Sequence, residues 1–418
     1  MGYGNKSVHS TCIPARKFRK LQNHMNHLYT WLFFALFFFA CTRPTDQGFD
    51  QADSLSFEKV DSLDLAILGD PTLVGVSPTM NRLAFYDFPS REFIFTDQSG
   101  QVVSRFSKKE DTPDAYGFLM EFPCFLSDSQ IALAGMKGVY VYDLEGKMIT
   151  KMAHPELVGS AGFMTFPGKG MKHLSLDDRS YLLTKSVRTR NTYPGEQVFY
   201  DSFRALELVD LEEERFLEIV PFEEGSQFLN GNGYYESDYA PSYSVMGRKL
   251  YVALGGENRL RVYTLSPAGA SLDTTIHLQI PGFGKLPVTS REVFSKGSVM
   301  IKGSTPAIRN IHVVDGNLAI QYYGGISEET MEELEAIWLS GDEEKAEELY
   351  SEAEKDVNQG VLVLDQATLM HKGILEFPEG TNKRGFASGG GYIWMERLPD
   401  EENEEDFLRI YKVKIASK

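Results

Sequence analysis

From Phe57 to Ile415 the chain is a succession of short apolar runs, many alternating with polar positions, each bounded by Gly, Pro, Asn, Asp or Ser. That is the pattern of many short strands joined by tight turns. The clearest stretch is VYVYDLEGKMITKM, residues 139–152, where Val139, Val141, Met148 and Ile149 flank a polar break of Asp143, Glu145, Gly146 and Lys147. The spacing predicts a β-hairpin. Gly146 takes a positive φ without steric cost, and the Asp143 carboxylate can accept from backbone amides two residues on.

The hairpin recurs along the sequence. FIFTDQSGQVVSRF (93–106) places Asp97 and Gly100 where Asp143 and Gly146 stand. LELVDLEEERFLEIV (206–220) and VLVLDQATLMHKGIL (361–375) keep Asp210 and Asp365 without the glycine. RVYTLSPAGASLDTTIHL (261–278) and RIYKVKI (409–415) keep the apolar run, with Thr264 and Lys412 in the aspartate's place. Each copy is preceded by further runs such as RLAFYDF (82–88), QIALAG (130–135), SYLLTKS (180–186), KLYVALGG (249–256), GNLAIQYYGG (316–325) and GYIWMERL (391–398). Six copies, mostly one four-stranded blade apart, predict an all-β, six-bladed propeller over 56–418. The last blade shows three strands, around Phe386, Ile393 and Ile410. The orphan SFEKVDSLDLAI (56–67) is therefore expected to supply the fourth and close the ring, because an open array leaves exposed sheet edges.

One interval is too long for a blade. It holds ISEETMEELEAIWLSGDEEKAEELYSEAEKDVN, residues 326–358, whose period is helical. Ser327 can cap a first helix, with Glu328 and Glu329 favourable to its dipole and Met331, Leu334 and Trp338 on one face. Ser340 and Gly341 break it, and Asp342 can cap a second helix with Ala346, Leu349 and Ala353 on its apolar face. A helical hairpin inserted in the fifth blade is the expectation.

The first 40 residues read as an export leader, with Arg16, Lys17, Arg19 and Lys20 before the apolar core WLFFALFFFA (31–40), which is short for a bilayer span. Met25 is an alternative start. The core ends at Cys41, which is the arrangement of a lipobox. A plain secretory signal or an N-terminal anchor is the competing reading. Residues 41–55 are polar and aperiodic, and are read as a tether. Lipidation at Cys41 would hold the following domain at a membrane surface without a spanning helix. Past Cys41 only Cys124 remains, so neither a disulfide framework nor a cysteine metal site is expected.

The formal charge is −17, and removing Lys6, Arg16, Lys17, Arg19 and Lys20 with the leader takes it to −22. Such a surface repels phosphate backbones, which argues against nucleic acid as a partner. The inserted helices and PDEENEED (399–406) carry much of this charge; they read as solvated acidic faces rather than cation sites. No G-x-S-x-G, P-loop, H-E-x-x-H or EF-hand pattern occurs, and His154, His173, His277, His312 and His371 stand singly. No metal site or cofactor is expected.

The apolar-x-Asp-x-x-Gly hairpin, preceded by a Gly-rich or Pro-containing inner strand, resembles the blades of six-bladed propellers of the NHL and TolB-like type. With the lipobox in front, the chain resembles the six-bladed propeller lipoproteins of Bacteroidetes of the DUF4221-like group. That resemblance implies an exported binding scaffold, lipid-anchored to the outer membrane on its periplasmic side or at the cell surface, and carries no catalytic residues across.

In such a ring the loops before the inner strands converge on the mouth of the central channel. Here they are EFPCF, FPGKGMKH, ESDYAPSYS, GSTPAIRN and NKRGFASGG, which would assemble Tyr116, Glu121, Lys169, His173, Tyr239, Tyr243, Arg309, Asn310, Lys383 and Arg384. Aromatic faces with cationic donors suit an anionic sugar, a carboxylate or a peptide terminus. The competing view pairs Arg309 and Arg384 with neighbouring acids. The loop 228–243, FLNGNGYYESDYAPSY, has the composition of an adaptable contact surface or of a merely packed loop. The leading functional expectation is a lipid-anchored, non-enzymatic propeller that binds a small molecule, glycan or protein at its channel mouth. A hydrolase or lyase acting on carbohydrate or peptide is the alternative, and requires two facing acid–base groups. A third reading makes the acidic helical insert the docking surface.

Overall fold

The computed structural model describes residues 55–67, 69–108, 112–156, 158, 166–297, 301–399 and 406–417. The chain divides into 1–52 and 53–418, and every described residue belongs to the second unit. The leader, nearly all of the tether, Cys41 and residues 400–405 lie outside the described residues.

The second unit is a six-bladed β-propeller. Its strands form six antiparallel four-stranded sheets. Numbering strands in chain order, blade 1 holds β2 to β5 (Thr72–Val76, Leu83–Asp87, Glu92–Thr96, Val102–Ser107). Blade 2 holds β6 to β9 (Leu119–Ser127, Gln130–Gly135, Gly138–Asp143, Met148–Met152). Blade 3 holds β10 to β13 (Lys172–Leu176, Arg179–Lys185, Leu206–Asp210, Arg215–Ile219). Blade 4 holds β14 to β17 (Pro241–Met246, Lys249–Leu254, Arg259–Ser266, Gly269–His277). Blade 5 holds β18 to β21 (Ala307–Val314, Asn317–Tyr323, Gln359–Asp365, His371–Leu375). Blade 6 holds β22 to β24 (Ala387–Gly389, Tyr392–Glu396, Leu408–Ser417) and takes its fourth strand from the start of the domain, β1 (Leu55–Leu65). β1 runs antiparallel to β24 from Leu55 opposite Ser417 to Leu65 opposite Leu408. The ring is thus closed by hydrogen bonds between the two ends of the domain, which covers an edge that would otherwise be a template for aggregation.

Alternation within single strands explains how the blades stack. In β7, Ile131 and Leu133 pack towards blade 1 while Ala132 and Ala134 pack towards blade 3. In β15, Leu250, Val252 and Leu254 face blade 3, and Tyr251 and Ala253 face blade 5. A strand sandwiched this way is apolar on both faces, which is why LAFY, IALA and LYVAL read as continuous runs. Six hydrophobic clusters fill the six seams between neighbouring blades.

The repeated aspartates form turns at the outer edge. The Asp143 carboxylate accepts from the amides of Glu145 and Lys147, at 3.1 and 2.8 Å. Asp97 accepts from Ser99 and Gln101, Asp210 from Glu212 and Glu213, and Asp365 from Ala367 and Thr368. Gly146 stands at φ 81°, and a Cβ there would lie 2.6 Å from the Phe106 ring of the preceding blade. Glycine is therefore set by both the turn and a close approach.

Between β19 and β20 the chain makes the inserted hairpin of helices Glu328–Ser340 and Glu343–Asp356. Ser327 Oγ accepts from the Thr330 amide, Gly341 ends the first helix at φ 84°, and Asp342 caps the second by accepting from the Lys345 amide. The first helix seats Leu334, with Met331 and Ile337 half-buried. Trp338, expected on that face, is 48% exposed, because the contacting stripe continues through Ile337 as the helix runs out. Two shorter helices, Gln197–Ser202 and Glu236–Tyr239, lie in the connections around blades 3 and 4. No helix among the described residues is long and apolar enough to cross a membrane.

Candidate functional site

The loops before the inner strands do converge, and they enclose two adjoining cavities that share Ser237 and Ile301. The larger, about 390 Å³, is lined by Phe166 before blade 3, Ser237 before blade 4, Ile301 to Arg309 around the start of blade 5, and Arg384 before blade 6. Tyr350 and Glu354 of the second inserted helix complete its wall. The smaller, about 70 Å³, is lined by Glu121, Lys169, Lys185, Glu236 and Tyr239 among others. A third cavity of about 250 Å³ lies along the inner strands, with Cys124, Lys172 and His173 in its wall.

Arg309 anchors the larger cavity. Its residue is 7% exposed, and its guanidinium lies 3.9 Å from the Tyr323 ring centroid and 5.2 Å from that of Phe166. Its guanidinium donates to Gln359 Oε1 at a long 3.4 Å. Among the described residues no carboxylate makes a contact ion pair with it, although the Glu354 charge acts on it from the same cavity wall. Two aromatic faces hold the cation instead. Burial depresses its pKa to about 10, which still leaves it charged at neutral pH.

Lys169 also lies against Phe166, its Nζ 5.6 Å from the ring centroid and 3.1 Å from Ser242 Oγ, to which it donates. Burial pushes its pKa down to about 7, and the charges of Lys185, Arg309 and Lys172 press in the same direction against the pull of Glu121. With Lys302, whose Nζ lies 4.6 Å from the Tyr235 ring centroid, and Arg384, the mouth gathers cations in a chain of formal charge −17. Unlike charges in a desolvated site attract far more strongly than on the surface.

Several predicted residues do other work. Tyr116 is not at the mouth: it is 2% exposed in the seam between blades 1 and 2, its ring 6.2 Å from Phe93, because the loop folds the tyrosine under the inner strand. Tyr243 presents no stacking face. It is buried, and its hydroxyl donates to Glu121 Oε1 at 2.6 Å. Glu121 also accepts from the Thr184 hydroxyl at 2.7 Å and the Lys185 amide at 2.9 Å, so its carboxylate ties blades 2, 3 and 4 together. Tyr239 sits in an aromatic cluster with Phe199, Phe203, Phe222 and Phe228, showing one edge to the smaller cavity. Asn310 is buried at a β-bulge, its side chain accepting from the Ile311 amide. His173 shares a 2.8 Å hydrogen bond with Ser180 Oγ and faces the inner-strand cavity rather than the mouth. Cys124 is free, and burial pushes its thiol up to about 12, so it is unreactive. No group of three metal-ligating side chains occurs among the described residues.

Of the predicted set, the structure brings Arg309 and Arg384 together in one cavity and places Glu121 and Tyr239 beside the adjoining one. Sequence reasoning missed Lys302, Tyr350 and Glu354. The last two lie one helical turn apart, at i and i+4, and one turn beyond the buried Ala346, a spacing that could have shown them on the inward face.

No family model matches this chain, and no curated protein is similar to it. Among solved structures it is similar to a luciferin-regenerating enzyme, at 10% identity over 85% of this chain and 95% of that one, with a TM-score of 0.42. It is similar to the PQQ-bound aldose sugar dehydrogenase of Streptomyces coelicolor, at 10% identity over 87% and 99%, TM-score 0.42. The β-propeller domain of Cps50 (Swd1) from Myceliophteria thermophila matches at 10% identity over 86% and 100%, TM-score 0.40. These are likenesses of fold alone, and they leave ligand and chemistry open.

Proposed function

We propose that this chain is a lipid-anchored, non-enzymatic binding propeller whose channel mouth takes a small anionic ligand. The observation that carries the reading is Arg309: a buried guanidinium held by two aromatic rings, without a carboxylate partner among the described residues, in the wall of a 390 Å³ cavity. A buried cation left unpaired is costly, and an anionic ligand would offset that cost. Hydrolysis is the weaker reading. Its acid and base should share a substrate, yet Glu121 is saturated by three donors, and Glu236 and Glu354 line different cavities.

The anchor is Cys41, with 41–55 as tether, and the address is the outer membrane, on its periplasmic side or at the cell surface. The resemblance to DUF4221-like propeller lipoproteins supports this through the lipobox and the blade motif. Palmitate labelling of the wild-type chain, lost in Cys41→Ala, is the expected result; label retained in the variant refutes the assignment. For the ligand, thermal shift of the full-length chain with simple carboxylates, uronic acids and short peptides should give stabilisation by at least one anion. Arg309→Ala should abolish that shift. An unchanged shift in the variant would move the site away from the mouth.

A further inference from the structure

The inserted helix Glu343–Asp356 is acidic, but its acids are not equivalent. Glu343, Glu344, Glu347, Glu348, Glu352 and Asp356 are exposed, whereas Glu354 is half-buried and faces the mouth cavity with Tyr350 one turn before it. Among the described residues, no hydrogen bond or ion pair engages the Glu354 carboxylate, although it feels the Arg309 charge. A cation and an anion therefore line one cavity without closing on each other. An ion pair serving only the fold would be in contact; here both groups line one cavity without a contact pair.

We infer that this cavity selects an α-amino acid carrying a second acidic group, free or at the end of a short peptide. Arg309 and Lys302 take its carboxylates, and Glu354 of the inserted hairpin takes its ammonium group. The inference rests on the binding reading above and narrows it. Arg309 and Lys302 set against Glu354 complement two carboxylates and one ammonium. The Phe166 and Tyr350 rings give apolar sides for the methylene chain between them, and Thr305 and Ser237 add hydroxyls to the same wall. A cavity of 390 Å³ has room for more than one residue, which is why a peptide end fits as well as a free amino acid. The hairpin is then a specificity element: the propeller supplies the cations, and the insertion between β19 and β20 supplies the one group that distinguishes an amino acid from a plain diacid.

Isothermal titration of the full-length chain with L-glutamate and with glutarate, the same carbon chain without the amine, tests this. Wild type is expected to bind glutamate at least about tenfold more tightly than glutarate. Glu354→Gln, which keeps shape and helix, should weaken glutamate about tenfold and leave glutarate equal or tighter; Arg309→Ala should weaken both. Equal binding of the two ligands by wild type overturns the inference, as does a Glu354→Gln variant that tightens both alike, since Glu354 would then only offset Arg309. If neither ligand binds while other anions stabilise the wild type through Arg309, the amino-acid assignment falls and the anion reading stands. If no anion responds to Arg309→Ala, both fall.

Discussion

The outer edge of the blades and the channel mouth treat charge in opposite ways. At the outer edge the repeated aspartates are satisfied within their own blade, accepting from amides two to four residues on, as Asp143 does with Glu145 and Lys147, while Asp210 and Asp365 also pair with Arg179 and Lys372 of the same sheets. At the mouth, Arg309, Lys169 and Glu354 are drawn from three different parts of the chain and are not matched to one another. The first arrangement is local, repeats with the blade and needs nothing else. The second is assembled once, by closing the ring, and leaves charges without contact ion-pair partners among the described residues, which is what the proposed ligand would meet. A repeated acid is thus a ruler for the fold, and an unrepeated, unmatched one is where binding should be sought.

The largest effect that separates the two regions should come from Gly146→Val. A Cβ at φ 81° is strained, and it would meet the Phe106 ring at 2.6 Å. Together these should cost about 4 kcal/mol by denaturant unfolding. Ligand-induced stabilisation of the remaining folded protein should be unchanged; a lost response would mean that the edges and the mouth are coupled.

Next in size is Glu396→Gln. Glu396 is buried at the mouth-side ends of blades 6 and 1, accepting from the Leu73 amide and from Asn382 Nδ2, and burial raises its pKa from 4.5 to about 7. Asp238, raised to about 6 by burial, behaves alike. A folded-state pKa above the unfolded one gives stability that is full below the unfolded value and is lost as pH rises through the folded value. Wild-type stability should therefore carry a component that falls between about pH 4.5 and 7, on the order of 2–3 kcal/mol for Glu396. Glu396→Gln should flatten that part of the profile. An unchanged slope would show that Glu396 is charged throughout.

Much of this was legible in the sequence, and the limits have physical causes. The turn aspartates, the closing strand near residues 56–67 and the helical caps at Ser327 and Asp342 all rest on local rules, and those rules hold in the structure. The mouth was located through its loops, because loop position follows from blade spacing. Side-chain direction within those loops was not legible. Tyr116 and Tyr243 sit in segments of the same composition as the cavity wall, yet tertiary packing turns both inward. Glu354 was hidden for another reason: among so many acids on one helix, only the helix's seat on the propeller marks out the one that faces the cavity.

The smallest effect belongs to the turns. Asp143→Ala removes two charge-assisted bonds to amides that solvent can partly replace, and should cost about 1 kcal/mol with no change at the mouth. The same motif has a pH signature opposite in sign to that of Glu396. Asp97 has its pKa lowered by the Ser99 hydroxyl and nearby amides, and Asp365 by Lys372 and Thr368. Depressed carboxylates contribute stability above their unfolded pKa and lose it as pH falls through the folded one. The outer edge should therefore weaken below about pH 4, where the contribution of Glu396 is complete. Asp97→Asn, which keeps an acceptor for the turn amides but cannot titrate, should reduce the acid-side slope of the unfolding profile and leave the region between pH 4.5 and 7 as in wild type. A change confined to the neutral region would place the titrating acids of this fold at the mouth alone.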